Sequence, residues 1–247
     1  MAEQLEISPY LIAELRRRHN LYTADEYEDI AGRLLSYILG LYFGRWSSDG
    51  ISTDKEEILS ICPYSNEFSD FVQESIESLF DEPATVLDQI RSNLGNSPSE
   101  WMRKQFFRNH HTDEYKRRGQ RTPIYWQLES SNGAFSCFVY YHEIDENTLP
   151  KLRGQYLDPR IDELENELET LNAQTSGDNP DKELLKRKEK VQDDLDDIKE
   201  FRETIDEMVD DGVSVDVEKG IWENIKEWDQ YEVLKTGLPK LKSSYSR

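Results

Sequence analysis

The sequence predicts an α+β protein that is mostly α-helical, with helical segments around a small antiparallel β-hairpin and a protruding antiparallel coiled-coil hairpin. Three patterns predict this class. Apolar residues recur at helical spacing through much of the first 110 residues, the pattern changes to period two in residues 123–142, and a heptad repeat fills much of residues 157–208. Helices therefore dominate, and only one short segment favours strands.

These patterns divide the chain into four predicted regions. They are a helical region ending in a basic strip (1–122), a β-hairpin (123–150), an acidic antiparallel coiled coil (151–208), and a short strand, helix and basic tail (209–247).

Residues 9–46 are predicted to be helical, with Ser8 as an N-cap and a capping box formed by Thr23 and Glu26. Residues 54–110 are predicted to form several short helices. Their apolar stripes include Phe68, Phe71, Val72, Ile76 and Leu79, followed by Val86, Leu87, Ile90 and Leu94.

The dipeptide Asn132-Gly133 is a strong turn signal between two apolar runs, so it predicts a β-hairpin. A two-residue loop there would give the hairpin one wholly apolar face, made of Ile124, Trp126, Leu128, Cys137, Val139 and Tyr141. The opposite face would carry Tyr125 and Tyr140 among polar residues. An isolated two-stranded hairpin is only marginally stable, so helices or further strands must cover it.

A seam of apolar residues at heptad spacing predicts the coiled coil, with Lys188 and Arg202 also at seam positions. The residues TSGDNP at 175–180 would close the two helices into an antiparallel pair. The apolar seam residues are Leu157, Ile161, Leu164, Leu168, Leu171, Leu184, Val191, Leu195, Ile198 and Ile205.

The end of the chain combines three features. Val213, Val215 and Val217 alternate with polar residues and predict a short strand. Trp222 and Trp228 lie at helical spacing and predict a last helix with both rings as core anchors, and a basic tail follows it.

The bulk properties of the chain favour a cytoplasmic protein. The net charge is -21, and residues 158–211 contribute 20 acidic and 8 basic residues, or -12. This acidity suits a solvated coiled coil, an interaction surface or a high-salt cytoplasm. The N-terminus does not resemble a signal peptide, and the longest apolar run has ten residues, about half of a bilayer crossing. We therefore expect no membrane partner.

Against this acidity, a basic strip between Arg103 and Arg121 carries seven basic and two acidic residues, a net charge of +5. It either contacts nucleic-acid phosphates beside an aromatic surface, or it pairs with the acidic coiled coil. On the first alternative, the DNA-binding residues are Arg103, Lys104, Arg108, Lys116, Arg117, Arg118, Arg121, Tyr125 and Tyr140. A second cluster, Arg16–His19, is more typical of a solvated helix face.

No pattern in the sequence indicates catalysis or metal binding. His110 and His111 are adjacent, so on a helix they would point about 100° apart and would chelate one ion poorly. Cys137 lies on the predicted core face of the hairpin, which favours a buried thiol over a nucleophile. The glycines fit neither a dinucleotide-binding loop nor a P-loop. We therefore expect no catalytic residue, no metal and no cofactor in this chain.

Three stretches resemble the large adenine-specific DNA methyltransferases of BREX phage-exclusion systems and of related single-chain type II restriction-modification enzymes. They agree with that family in order and spacing, and the resemblance extends from about residue 28 to 240. The stretches are GRLLSYILGLYFGRWSSDG at 32–50, QFFRNHHTDEYKRRGQRTPIYWQLESSNGAFSCFVYYHEI at 105–144, and VDDGVSVDVEKGIW at 209–222.

The resemblance implies a DNA-modifying context for a chain without the catalytic motifs. In the family, an S-adenosylmethionine loop and an Asn-Pro-Pro-Tyr motif, which holds a flipped adenine, lie far upstream. The only Asn-Pro pair here, Asn179-Pro180, is followed by Asp181 in the coiled-coil turn, and Asp216 replaces an asparagine of the family. The chain thus resembles the C-terminal part alone, as a subunit, a split gene or a truncated product.

Three hypotheses follow. In the first, the chain is a DNA-binding, specificity-associated part of an adenine-N6 methyltransferase, with double-stranded DNA and a catalytic chain as partners and S-adenosylmethionine on that chain. In the second, it is a non-enzymatic coiled-coil module that docks onto a catalytic chain or another defence protein. In the third, it methylates DNA alone.

Overall fold

A computed structural model describes residues 27–45, 57–111, 116–117, 120–121, 123–177 and 180–235, with only the backbone for 27–29, 108–111, 116–117 and 120–121. The chain divides into two units, Met1–Pro123 and Ile124–Arg247. Several sequence features lie outside the described residues, namely the cap at Ser8, the capping box of Thr23 and Glu26, the cluster Arg16–His19 and the basic tail.

The first unit is mainly helical, as predicted. Its elements are α1 (Tyr27–Tyr42), β1 (Ile58–Ser60), α2 (Glu67–Leu79), α3 (Pro83–Leu94), α4 (Pro98–Trp101), a π-helical segment (Met102–His111), β2 (Lys116–Arg117) and β3 (Gln120–Arg121). The short strands β1, β2 and β3 were not predicted, because two or three residues are too few to show a period.

The apolar stripes explain where these helices lie. In α2 the residues Phe68, Val72 and Ile76 are fully buried, which confirms the predicted face. Helix α3 begins at a proline and ends at Gly95, whose φ of +67° is the left-handed conformation that favours glycine after a helix.

One acidic side chain joins three elements of this unit. Glu67, the first residue of α2, accepts hydrogen bonds from the Tyr42 hydroxyl and, at 3.2 Å, from the backbone N–H of Ser60. The same hydroxyl also lies 3.2 Å from the carbonyl oxygen of Ile58. Because these groups come from α1, β1 and α2, the carboxylate fixes the strand against both helices.

The second unit is built on a hairpin and a long helix pair. Its elements are β4 (Tyr125–Glu129), β5 (Ser136–Tyr140), a 3-10 turn (Tyr141–Glu143), α5 (Thr148–Lys151), a π-helical segment (Leu152–Leu157), α6 (Asp158–Gln174), α7 (Lys182–Asp210), a 3-10 turn (Val217–Lys219), α8 (Ile221–Trp228) and a 3-10 turn (Asp229–Tyr231).

The register of the hairpin is the predicted one. Trp126 lies opposite Val139, and Leu128 lies opposite Cys137. The loop is wider than two residues, since ladder pairing ends at Glu129 and the N–H of Gly133 bonds to the carbonyl of Ser130 at 3.0 Å. Gly133 has φ +74°, so it supplies the left-handed position of this turn.

A further extended segment adds to β4 on the side away from β5. The N–H of Glu129 bonds to the carbonyl of Val233 at 3.0 Å, and the N–H of Lys235 bonds to the carbonyl of Gln127 at 2.9 Å. Beneath the sheet, the Trp126 ring packs edge-on against Trp228 at 5.3 Å. The hairpin is thus covered by another strand and by α8, as its low intrinsic stability requires.

Helices α6 and α7 form the predicted antiparallel pair. Leu164 and Leu171 of α6 and Val191, Leu195 and Ile205 of α7 are buried, which matches the heptad seam. Ion pairs connect the two helices along their exposed sides. These pairs are Arg202–Asp158 at 3.1 Å, Lys199–Glu165 at 2.6 Å and Arg187–Glu167 at 2.7 Å.

The predicted strand at Val213–Val217 is wrong. The segment leads instead into the 3-10 turn Val217–Lys219. The Asn224 side chain accepts from the N–H of Asp216 at 2.9 Å and donates to the carbonyl of Asp216 at 2.7 Å. Both backbone groups of Asp216 are therefore occupied, and neither is free to pair with another strand.

Helix α8 confirms the predicted last helix, although its two tryptophans differ. Trp228 is fully buried, and Trp222 is half-buried. Only Trp228 is therefore a full core anchor.

Candidate nucleic-acid interface

The first residues of the basic strip lie on the π-helical segment Met102–His111. Arg103 is half-buried and Lys104 is exposed. The Lys104 ammonium lies 2.5 Å from the Glu100 carboxylate, one helical turn earlier. Its hydrogen bond and its charge hold the pKa of the Glu100 carboxyl below the ordinary value. Because exposed ion pairs are weak, Lys104 can exchange this partner for another anion.

The end of the strip forms a two-stranded antiparallel ribbon, which we call the basic ribbon (β2 and β3). Lys116 is paired with Arg121, and Arg117 is paired with Gln120. Like charges at opposite positions destabilise a strand pair, so an anion bound beside these two positions would favour this register. The dimensions of such a ribbon match the major groove of B-DNA, which admits two strands or one helix.

The remaining predicted cations fall outside the described part. Arg118, which connects the strands of the ribbon together with Gly119, is not described, and neither is the side chain of Arg108. The choice between phosphate contacts and pairing with the acidic helix pair therefore stays a prediction.

The predicted aromatic surface is wrong for Tyr125. Its side chain is fully buried, with its ring centre 5.6 Å from that of Tyr140, which is itself half-buried. Gln127 and Phe138, on the same face of the hairpin, are also 0% exposed. Both faces of β4 and β5 are thus inside the protein, so Tyr125 has no free ring face on which a base could stack.

Polar side chains of that buried face are hydrogen-bonded to one another. The Gln127 amide donates to Ser136 Oγ at 3.0 Å, and Ser136 Oγ donates to the Glu129 carboxylate at 3.2 Å. The Lys235 ammonium, from the strand added to β4, lies 2.7 Å from the same carboxylate. These bonds supply partners for the Gln127 amide nitrogen, the Ser136 hydroxyl and the Glu129 carboxylate on this face.

Sequence reasoning missed the residue that fixes the hairpin loop. Asp197 of α7 is 4% exposed, and its carboxylate accepts from the Ser130 hydroxyl at 2.5 Å, the N–H of Asn132 at 2.9 Å and the N–H of Ala134 at 3.1 Å. Helical periodicity could not identify Asp197, because an aspartate beside the apolar seam of an acidic coiled coil is normally solvated. The Asn132-Gly133 turn, whose N–H groups lie outside the strand ladder, was the available indication.

The described residues show no other chemical site. No group of three His, Cys, Asp or Glu side chains among them could hold a metal ion. Cys62 and Cys137 are free and buried, which confirms the buried thiol predicted for Cys137. In this part of the chain, no helix is both long and apolar enough to cross a membrane.

Comparison with known proteins finds distant relatives of this chain. The chain is distantly similar, over about three quarters of its length, to part of the adenine-specific methyltransferases. This confirms the resemblance seen in its sequence. No protein-family model matches the chain.

Two relatives carry this similarity. The chain is 24% identical over 226 residues, 77% of its length, to the adenine-specific methyltransferase PglX of Lacticaseibacillus casei (strain Zhang). It is 26% identical over 192 residues, 74% of its length, to the adenine-specific methyltransferase BrxX of Escherichia coli O9:H4 (strain HS). The matches span only 18% and 15% of those proteins, so the chain corresponds to less than a fifth of either.

Proposed function

We propose that this chain is the DNA-binding, specificity-associated part of an adenine-N6-specific DNA methyltransferase from a BREX-like phage-defence or restriction-modification system. The similarity to two adenine-specific methyltransferases supports the context. The basic ribbon supports the binding role. Double-stranded DNA and a catalytic methyltransferase chain are the proposed partners, and catalysis belongs to the latter.

The Lys116–Arg121 register is the observation that carries this proposal. Two cations opposite each other in a short ribbon weaken its pairing, and a phosphate between them removes the repulsion. Lys104 and Arg103 would extend the contact along the backbone, while Arg108, Arg117 and Arg118 complete the strip. Tyr125 is not part of the site, because it is buried.

We infer that the Asn-Pro-Pro-Tyr motif, which would hold a flipped adenine, is not formed by this chain. The Asn179-Pro180 pair leads into Asp181, whose side chain accepts from the N–H of Glu183 at 2.8 Å and so caps α7. The chain also has no tyrosine at the position that would complete an Asn-Pro-Pro-Tyr motif. The proposed function therefore gives this chain no methyl-transfer step.

Duplex binding at several salt concentrations tests the proposal. Lys116→Glu converts the like-charge pair into an opposite-charge pair with Arg121, so the ribbon should gain about 0.2–1 kcal/mol. Duplex affinity should nevertheless fall, and the slope of log K against log salt should decrease by about 1. Opposite changes in stability and in binding would identify the pair as a phosphate contact.

Arg91→Glu is the matched control. It makes the same charge change in the same unit, at an exposed cation whose ion-pair distance to Asp88 is 3.8 Å. If both substitutions weakened duplex binding equally, only the net charge of the chain would matter. This result would overturn the basic ribbon as the binding site. A wild-type chain without duplex affinity at low salt, with or without its catalytic partner, would overturn the function.

A second candidate function is docking through the helix pair, which the length of α7 favours, at 29 residues. Replacing residues 166–193 by a short glycine-containing turn removes the outer part of the pair but keeps Asp197. Loss of a protein partner with unchanged DNA binding would support docking, and loss of DNA binding alone would contradict it.

A further inference from the structure

The helix pair α6–α7, which we call the arm, is not uniformly acidic. Residues 182–190 at the start of α7, which we call the arm tip, contain five basic and two acidic residues, a net charge of +3. The remainder of residues 158–211 carries -15. The cations of the arm tip are Lys182, Lys186, Arg187, Lys188 and Lys190.

The arm tip projects beyond the part of α7 that is fixed to the hairpin. Asp197 binds the hairpin loop, and the Phe201 ring stacks on Phe135 with ring centres 5.7 Å apart. Lys182 precedes Asp197 by 15 residues, so at about 1.5 Å per residue it lies about 22 Å further along the helix. A partner can thus reach the tip without disturbing the fixed part.

Three lysines of the tip share one side of α7. Lys182, Lys186 and Lys190 repeat every four residues, so they follow one another at a rise of about 6 Å. The side chains of Lys186 and Lys190 are 71% and 74% exposed. Their ion pairs, to Glu183 at 3.0 Å and to Asp194 at 2.7 Å, are local surface pairs that contribute little. Lys182 forms no ion pair with any described residue.

This arrangement is unfavourable for the helix on its own. Lysines spaced by four residues repel one another, and cations in the first turns oppose the positive end of the helix dipole. An anion at the same place would be stabilised by the lysines, whereas the start of α7 is already capped by the Asp181 carboxylate. The exposed lysine row is therefore the feature that favours an anionic ligand.

We propose that the arm tip is a second contact for the phosphate backbone of duplex DNA, in addition to the basic ribbon. This inference rests on the proposed function, in which duplex DNA is the partner. Exposed lysines gain little from single carboxylates of an acidic protein. They gain much more on duplex DNA, where each neutralised phosphate releases condensed counterions.

The acidic part of the arm sets the limit of this contact. Asp193 and Asp194 lie one turn after Lys190, so phosphates are repelled beyond that point. Asp193→Asn should therefore strengthen duplex binding. Asp229→Asn, at an exposed position outside the arm, should leave it unchanged.

The salt dependence of duplex binding tests the tip directly. Lys182→Gln combined with Lys186→Gln should weaken binding about tenfold and reduce the salt slope by about 2. The matched control combines Lys199→Gln and Lys219→Gln, which removes two charges at exposed positions away from the tip. Glutamine is nearly as good a helix former as lysine, so circular dichroism should show unchanged folding.

The outcomes separate this inference from the proposed function. An unchanged slope in the tip variant, with a reduced slope in Lys116→Glu, would overturn the tip contact and leave the proposed function standing. A reduced slope only in the tip variant would support the tip and overturn the basic ribbon. Equal losses in the tip and control variants would overturn the tip, and a wild-type chain that binds no duplex would overturn both.

Discussion

At the scale of single residues, Asp197 connects the two main parts of the second unit. Its carboxylate binds one hydroxyl and two N–H groups of the hairpin loop, and it is almost completely buried. A buried carboxylate is tolerated only when its oxygens are satisfied, and here the loop satisfies them. The loop in turn depends on Asp197, because its amides point away from the ladder.

Asp197→Ala should therefore lower the free energy of unfolding by about 3 kcal/mol, since two buried donors and one part-buried donor lose their acceptor. Urea denaturation measures this change. The neighbouring Asp196→Ala is the control, because Asp196 is exposed and accepts a bond from Gln192 at 2.9 Å. Similar effects of the two substitutions would show that Asp197 does not fix the loop.

At the scale of elements, the segment between α7 and α8 shows how one side chain replaces a strand partner. Asn224 is fully buried, and its side-chain oxygen and nitrogen both bond to the backbone of Asp216. The same nitrogen lies 2.9 Å from the Gly220 carbonyl oxygen and 3.1 Å from the Tyr141 hydroxyl. Burial raises the pKa of that hydroxyl above its ordinary value. The valines of the segment alternate with polar residues as in a strand, but the hydrogen bonds from Asn224 hold the backbone in another conformation.

Asn224→Ala should destabilise the protein by about 3 kcal/mol, because it leaves several buried groups unpaired. Amide hydrogen exchange should show faster exchange at Asp216 in particular. Gln230→Ala serves as the control, since Gln230 is exposed and has one long bond of 3.4 Å to the Lys226 carbonyl. Unchanged exchange at Asp216 in the Asn224 variant would contradict this role.

At the scale of the whole molecule, the net charge of -21 disfavours both compaction and affinity for DNA. Basic residues outnumber acidic ones in the strip at 103–121 and in the arm tip. A local positive potential can therefore exist on a strongly acidic protein, because salt limits the range of the remaining charges to about 10 Å at 0.1 M.

Stability should consequently rise with salt. Between 0.01 and 0.15 M sodium chloride we expect a gain of about 1 kcal/mol, or about 2–4 °C in Tm for a chain of this size, because screening reduces self-repulsion. Thermal unfolding by circular dichroism measures this shift. Potassium chloride should give the same curve, and a fall in Tm with either salt would contradict the explanation.

Local patterns of the sequence were enough for much of this fold. Period-two alternation around Asn132-Gly133 predicted the hairpin and its register, and the heptad seam from Leu157 to Ile205 predicted the arm. These features depend on residues close in sequence, whose spacing places them on one face of an element. The sequence likewise showed the positive charge of the basic strip, whereas it did not show that Lys116 lies opposite Arg121 in the basic ribbon.

The tertiary structure decided the features that depend on groups far apart in the chain. It buried Tyr125, added residues 233–235 to the hairpin, held Val213–Val217 away from a strand, and placed Asp197 against the loop. A side chain's exposure and a backbone group's partner depend on what packs against it, and composition and spacing do not contain that information. The sequence by itself thus determined the elements and their charges, and the packing of distant elements decided which faces remain available to a ligand.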